Sequence, residues 1–164
     1  MKKETYIKLM DSLRKRKGLF NIIKILYTAL PLGMFVVYPS IVILNGIKGL
    51  DHRFILSIVV PAVTLVGVAV MRRLINKTRP YEKFETSSLI EKDKKGQSFP
   101  SNHAACGFVI AMAGFTISIW LGAALLLVAF IIALTRIFAG VHFIIDVVAG
   151  TIIGILAGLV FLFV

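Results

Sequence analysis

Long apolar runs separated by short polar breaks dominate the chain and predict membrane-spanning helices. Phe54 to Met71 and Val147 to Val164 each run 18 residues without a charge, about the length that crosses a hydrocarbon layer of roughly 30 Å. Ala104 to Thr135 is uncharged for 32 residues. At about 1.5 Å rise per residue this overshoots one crossing, so it predicts two spans joined near Trp120, Leu121 and Gly122, where a Trp suits the interface. Leu19 to Ile47 is interrupted by Lys24, Pro31 and Pro39 and reads as one kinked span beginning near Ile25, with Lys24 snorkelling to the headgroups. The reading is an all-α, polytopic transmembrane helix bundle of about five spans, at about residues 25–47, 54–71, 103–119, 122–138 and 142–164. Six spans follow instead if the Pro31–Pro39 stretch dips in and returns. Ahead of them, Tyr6, Ile7, Met10 and Leu13 recur at helical spacing among Lys and Arg, predicting an N-terminal amphipathic helix on the membrane surface. Domain organisation is then a basic segment, 1–18, and a single transmembrane domain, 19–164.

Composition agrees, since 58% hydrophobic and 16% charged residues are too apolar for a soluble globule. A formal net charge of +11 raises nucleic acid as a partner, but the charge is partitioned between segments. Residues 1 to 17 carry seven Lys/Arg against two acids, and residues 72 to 100 carry eight against four. Basic segments beside spans favour anionic lipid and phosphate, so the bilayer is the expected partner and nucleic acid is not. The single Cys106 excludes an intrachain disulfide. No cleavable signal follows the basic start.

Against this background the stretch TRIFAGVHFIID, Thr135 to Asp146, places Arg136, His142 and Asp146 within apolar sequence. A charge at bilayer depth costs roughly 2.5–3.5 kcal/mol on insertion scales, which points to a polar site at a membrane boundary. On a helix His142 and Asp146, four apart, share a face, so the carboxylate can hold one ring nitrogen and leave the other free to react. Gly140 supplies a tight connection between Arg136 and His142. Arg72 and Arg79, seven apart, share a face if the second span continues as a helix. Tyr81 to Gln97 reads as a solvated polar connection, with a lid as the other reading. Ser101 or Asn102 fits the N-cap of the third span, whose first amides would form an anion site, and His103 follows at once. Gly150, Gly154 and Gly158, on the face of Asp146, read as close helix packing. Counting spans puts Arg72, Arg79, His103, Arg136 and His142 on one side of the membrane, as a pocket for a multiply negative group with a nucleophile and an acid in it.

These residues resemble the three-part signature of the type 2 phosphatidic acid phosphatase superfamily of membrane lipid phosphatases, related to the vanadium haloperoxidases. That signature is a Lys six residues ahead of Arg-Pro, then Pro-Ser-Gly-His, then Ser-Arg, five residues, His, three residues and Asp. It spans Arg72 to Asp146 here, in the same order and with the same spacings. The resemblance implies that His142 attacks phosphorus to form a phosphohistidine, with Asp146 orienting it, and that His103 protonates the leaving oxygen and later activates water. It also implies that Arg72, Arg79, Arg136, Ser101 and the Asn102 amide hold the phosphoryl oxygens, with no metal and no cofactor. Three positions depart from the signature: Arg72 replaces Lys, Asn102 replaces Gly and Thr135 replaces Ser.

The leading expectation is a multi-pass cell-membrane enzyme acting on a lipid phosphate or diphosphate such as phosphatidic acid, phosphatidylglycerol phosphate or undecaprenyl diphosphate. The alternatives are an anion or lipid-phosphate transporter without hydrolysis, and a zinc site built from His103, His142 and Asp146. The basic N-terminus places a five-span site on the cytoplasmic side, whereas the resemblance implies six spans and an external site in many members.

Overall fold

The computed structural model describes residues 2–164, and among them helices alone form the regular structure. They are α1 (Lys3–Lys15), α2 (Lys17–Lys48), α3 (His52–Ile75), the single turn α4 (Pro80–Lys83), α5 (Asn102–Ala113), α6 (Ile119–Phe138) and α7 (Ile144–Gly158). Helices long and apolar enough to cross a membrane are α2, α3 with its continuation to Lys83, α6, and α7 with its continuation to Leu162. Their outward faces carry large exposed apolar side chains such as Phe35, Val66, Leu127 and Leu156. Such faces are stable against hydrocarbon rather than water.

The bundle is built round α5. Ala104, Ala105, Phe108, Val109, Ala111, Met112 and Ala113 are all buried, so this helix meets protein on most sides, with the face of Asn102, His103, Cys106 and Ile110 left more open. The expected third span, 103–119, is corrected by this geometry. At about 1.5 Å per residue, the 12 residues of α5 fall well short of a roughly 30 Å crossing, and a tighter turn at Gly114–Thr116 completes it. The break falls at Ser118, whose hydroxyl accepts from the Leu121 amide at 3.1 Å, so Trp120 lies in the first turn of α6. Gly150, Gly154 and Gly158 of α7 press directly on α5, as their spacing predicts. A Cβ at Gly154 would stand 2.4 Å from the Ala105 carbonyl oxygen, and one at Gly150 2.4 Å from that of Ser101.

Pro31 and Pro39 both lie inside the one continuous helix α2, so the stretch does not dip and return. The five helices α2, α3, α5, α6 and α7 therefore alternate in direction. The start of α2, the end of α3, the start of α5, the end of α6 and the start of α7 share one end of the bundle. Helix α1 packs at the same end. Tyr6, Met10 and Leu13 are buried with Phe84 and Leu89, and the Tyr6 hydroxyl donates to the Gly140 carbonyl at 3.0 Å. Burial pushes the Tyr6 hydroxyl up to about 12, which keeps its proton in that bond. The apolar stripe of α1, expected as that of an amphipathic helix on the membrane surface, thus packs on protein.

Candidate active site

Each polar side chain at this end is set by its local structure. Helix α3 stops at Asn76, which adopts the left-handed conformation at φ 41°, so Arg72 and Arg79 do not share the continuing helix that their spacing predicts. Arg72 reaches inward from the last turn of α3 and donates to the Pro100 carbonyl at 2.8 Å. Arg79 instead caps α4, where the Glu82 carboxylate accepts from the amides of Arg79 (3.2 Å) and Gly96 (2.9 Å). That clip brings the far end of the polar connection back. Gly96 has φ +61° and a Cβ there would meet Asn76, so glycine is required; Arg79 Nε donates to its carbonyl at 3.0 Å.

The connection is not a freely solvated loop. Leu89 and Ser88 are buried, the Leu89 amide donates to Ala139 at 3.0 Å, and Arg14 donates to the carbonyls of Ser87 and Ser88. Lys92 and Lys94 are thereby held over the site.

Arg136, at the end of α6, is 1% exposed. It donates to the Tyr27 carbonyl at 2.7 Å and lies 3.7 Å from the centroid of that ring, yet its Nε has no partner. Gly140, at φ +73°, turns the chain tightly into Val141 and His142, and a Cβ there would meet Met10 and Tyr6. His142 therefore lies in the connection ahead of α7, whose first residue is Ile144, and not on the helical face it was expected to share with Asp146.

Asp146 sits in the first turn of α7 and accepts from the Phe143 amide at 3.0 Å, as a carboxylate at a helix N-terminus does. Its other oxygen pairs with Lys77 Nζ at 2.7 Å. His142 Nδ1 is 3.8 Å from the carboxylate, and the Ser98 hydroxyl stands between them, donating to Asp146 and lying 3.4 Å from Nδ1. Because its one proton goes to Asp146, Ser98 presents a lone pair to Nδ1–H, which leaves the lone pair of the imidazole on Nε2.

Arg72, Arg79, Asn102, His103, Arg136 and His142 line one cavity of about 350 Å³, together with Lys92 and Lys94. Among the described residues no carboxylate lines it. Burial, with Arg72, Arg79 and Lys92 nearby, lowers the Lys94 ammonium below its usual range. His142, 3% exposed, is lowered first by burial and further by Arg79 and Arg72, with Asp146 opposing. Ser101 caps α5 by position, but its hydroxyl is fully buried and without a partner, and the first amides of α5 have no intrahelical acceptor. Unpaired buried donors and guanidinium groups converging on one hollow fit a multiply charged oxyanion.

Five of the expected residues thus meet at the cavity from separate elements, with Asn102 beside them. Ser101 and Asp146 sit behind its wall. Asp146 is engaged by Lys77, Ser98 and the Phe143 amide, so it does not join the two imidazoles as a third metal ligand, and among the described residues no three His, Cys, Asp or Glu side chains gather as a metal site. Thr135 turns its hydroxyl to the Ile132 carbonyl at 2.6 Å, away from the hollow. Sequence reasoning missed Lys77, Ser98 and Tyr27. Lys77 lies between the two arginines of the first motif and Ser98 two residues ahead of Pro100, so proximity to the motifs was the one available signal.

Known proteins share this fold. The structure resembles that of LpxE from Aquifex aeolicus, with a TM-score of 0.68, 28% identity, and coverage of 90% of this chain and 94% of that one. A weaker likeness, with a TM-score of 0.42, 19% identity and coverage of 96% and 90%, is to the first transmembrane PAP2 type phosphatidylglycerolphosphate phosphatase from Bacillus subtilis. No curated protein matches the chain in sequence. The model of the PAP2 superfamily matches residues 51–164, which hold both imidazoles and the arginines of the cavity and the carboxylate behind them, and so the chain belongs to the PAP2 superfamily as a membrane-embedded phosphatase.

Proposed function

We propose that the protein hydrolyses a lipid phosphate monoester or diphosphate through a phosphohistidine, without a metal ion, as a multi-pass enzyme of the cell membrane. The observation that carries this reading is the continuity of two spaces. The cationic cavity shares Leu65, Asn102 and His103 with an apolar cleft of about 450 Å³ whose walls include Pro31, Phe35, Pro61 and Ile132. A phosphate can occupy the first while its hydrocarbon tail lies in the second, still within the bilayer. Phosphatidic acid, phosphatidylglycerol phosphate and undecaprenyl diphosphate all have this form.

In the first step Nε2 of His142 attacks phosphorus as the bond to the leaving oxygen breaks, and His103 gives that oxygen its proton. A water then attacks phosphorus and passes a proton to His103, the N–P bond breaks, and inorganic phosphate leaves with His142 restored. Arg72, Arg79, Arg136 and the Asn102 amide face the equatorial oxygens, while Ser101 stands behind that wall as the cap of α5. Fixed cations in a dry hollow supply the charge stabilisation that dominates phosphoryl transfer, and that same positive charge repels a metal ion.

Purified protein in detergent is expected to release phosphate from long-chain phosphatidic acid in excess EDTA, with kcat/KM at least about tenfold above that for a water-soluble glycerol phosphate, given the apolar area the cleft can bury. Release that requires a divalent cation removes the metal-free reading. Flux of phosphate or lipid across a vesicle without turnover would favour the transport alternative.

The alkaline limb of the pH dependence follows from the proton that His103 must carry, the acid limb from His142. The reactive form is the neutral imidazole, and burial lowers its pKa below the ordinary 6.5, so Nε2 stays unprotonated as the pH falls through that value. The acid limb of kcat/KM, measured from about pH 4 to about pH 8, is expected below pH 6.5. The second ionisation of the substrate phosphate lies near pH ~6. Repeating the profile with a phosphate ester of different pKa leaves an enzyme-borne limb in place and moves a substrate-borne one. A limb at or above pH 6.5 that ignores the substrate contradicts the assignment.

A further inference from the structure

A second crevice, of about 530 Å³, opens where the segment after α3 meets the start of α7, and it shares no lining residue with the catalytic cavity. One side is cationic. Lys77 and Lys83 place their ammonium groups 5.1 Å and 5.9 Å from the centroid of a single ring, Phe143. The other side is apolar, formed by Ile144, Ile145 and Val148, all exposed on the outward face of a membrane-spanning helix. Charge therefore sits at the end of the bundle, at headgroup level, and hydrocarbon begins one turn below it.

The two lysines are not equivalent. Lys77 is divided between the crevice and Asp146, whereas Lys83, among the described residues, pairs with no carboxylate. Among the described residues no acidic side chain lines the crevice. A cation held over an aromatic ring beside a lipid-facing wall, with its charge unneutralised, calls for an anion that brings its own apolar tail. We infer that this crevice binds an anionic phospholipid as a resident, non-substrate ligand, with its phosphodiester between Lys77 and Lys83 and an acyl chain along Ile144, Ile145 and Val148. This goes beyond the hydrolytic reading, since a phosphodiester placed here touches no group of the catalytic cavity.

The test is retention of lipid by the purified protein, measured by native mass spectrometry in neutral detergent with phosphatidylglycerol or phosphatidylcholine of matched chains. Wild type is expected to prefer phosphatidylglycerol by about tenfold, the order that one to two lysines near a lipid phosphate supply. Lys83→Gln is expected to remove most of that preference at an unchanged melting temperature, and Lys83→Arg to keep it. Inorganic phosphate at the same concentration is expected not to displace the lipid, because it has no tail to bury. Anionic lipid could also enter the catalytic cavity, so Arg79→Met is the companion variant, and it is expected to leave the preference in place. No preference in wild type overturns the inference. So does a preference that survives Lys83→Gln, or one that falls with Arg79→Met alone.

Discussion

Replacing His142 with alanine is expected to lower kcat by at least about a thousandfold while leaving the protein folded in the membrane. The size follows from removing the covalent step, because direct attack by water in a cationic hollow keeps only the electrostatic part of the acceleration. Folding should survive. The imidazole is held by the 3.4 Å contact to Ser98, and its loss leaves Ser98 donating to Asp146 and Lys77 paired with the same carboxylate. A net hydrogen bond is worth about 1 kcal/mol, which a helix bundle of this size tolerates. His103→Ala separates the two imidazoles. It should slow release of a poor alkoxide leaving group far more than release of an acidic phenol, since only the alkoxide needs the proton. Rapid quenching under alkaline conditions, where a phosphohistidine persists, should show labelled protein in the His103 variant and none in the His142 variant. Turnover retained by His142→Ala would mean that the nucleophile lies elsewhere.

The second large effect is expected from Gly154→Leu, which touches no group of the cavity. A Cβ at this position would lie 2.4 Å from the Ala105 carbonyl oxygen and 2.9 Å from Phe108 Cβ, so α7 must move away from α5. Overpacking of this kind costs typically about 1–3 kcal/mol, and backbone in the path allows little relief. The displacement also reaches the chemistry. Helix α7 carries Asp146, whose carbonyl accepts from the Ser101 amide at 2.8 Å, while α5 carries Ser101, Asn102 and His103. Moving the two helices apart by about 1 Å should lower kcat/KM by about a hundredfold, alongside a fall in melting temperature in detergent. Gly67→Leu is the control, because nothing lies within 4 Å of a Cβ there, and it should change neither quantity. Wild-type stability and activity in Gly154→Leu would mean that α7 is free to slide without consequence for the site.

Hydropathy and spacing made much of this molecule readable in advance. Uncharged runs and the small-residue face of α7 are local properties, and each reappears in the helices observed, whereas Lys24, Pro31 and Pro39 lie inside the continuous helix α2 and interrupt nothing. The common side of Arg72, Arg79, His103, Arg136 and His142 was also legible, because in a membrane the direction of each crossing reverses and can be counted. Helix geometry across breaks was not. Arg72 and Arg79 lose their shared face because Asn76 ends α3 in a left-handed turn, and His142 leaves the face of Asp146 because α7 starts two residues after it.

What the chain by itself determined is therefore the list of helices, their alternation, and which ionisable groups gather at one end, since hydrocarbon admits few backbone solutions and makes each embedded charge conspicuous. What only the tertiary structure decided is who touches whom. Ser98 comes between His142 and Asp146 from 44 and 48 residues away, Lys77 reaches Asp146 across 69, and Tyr6 fastens α1 to Gly140 across 134. Contacts at such separations depend on how closely whole helices approach. That approach is fixed by side-chain volumes at the α5–α7 interface and by the clip of Glu82 on Gly96, neither of which leaves a periodic trace along the chain.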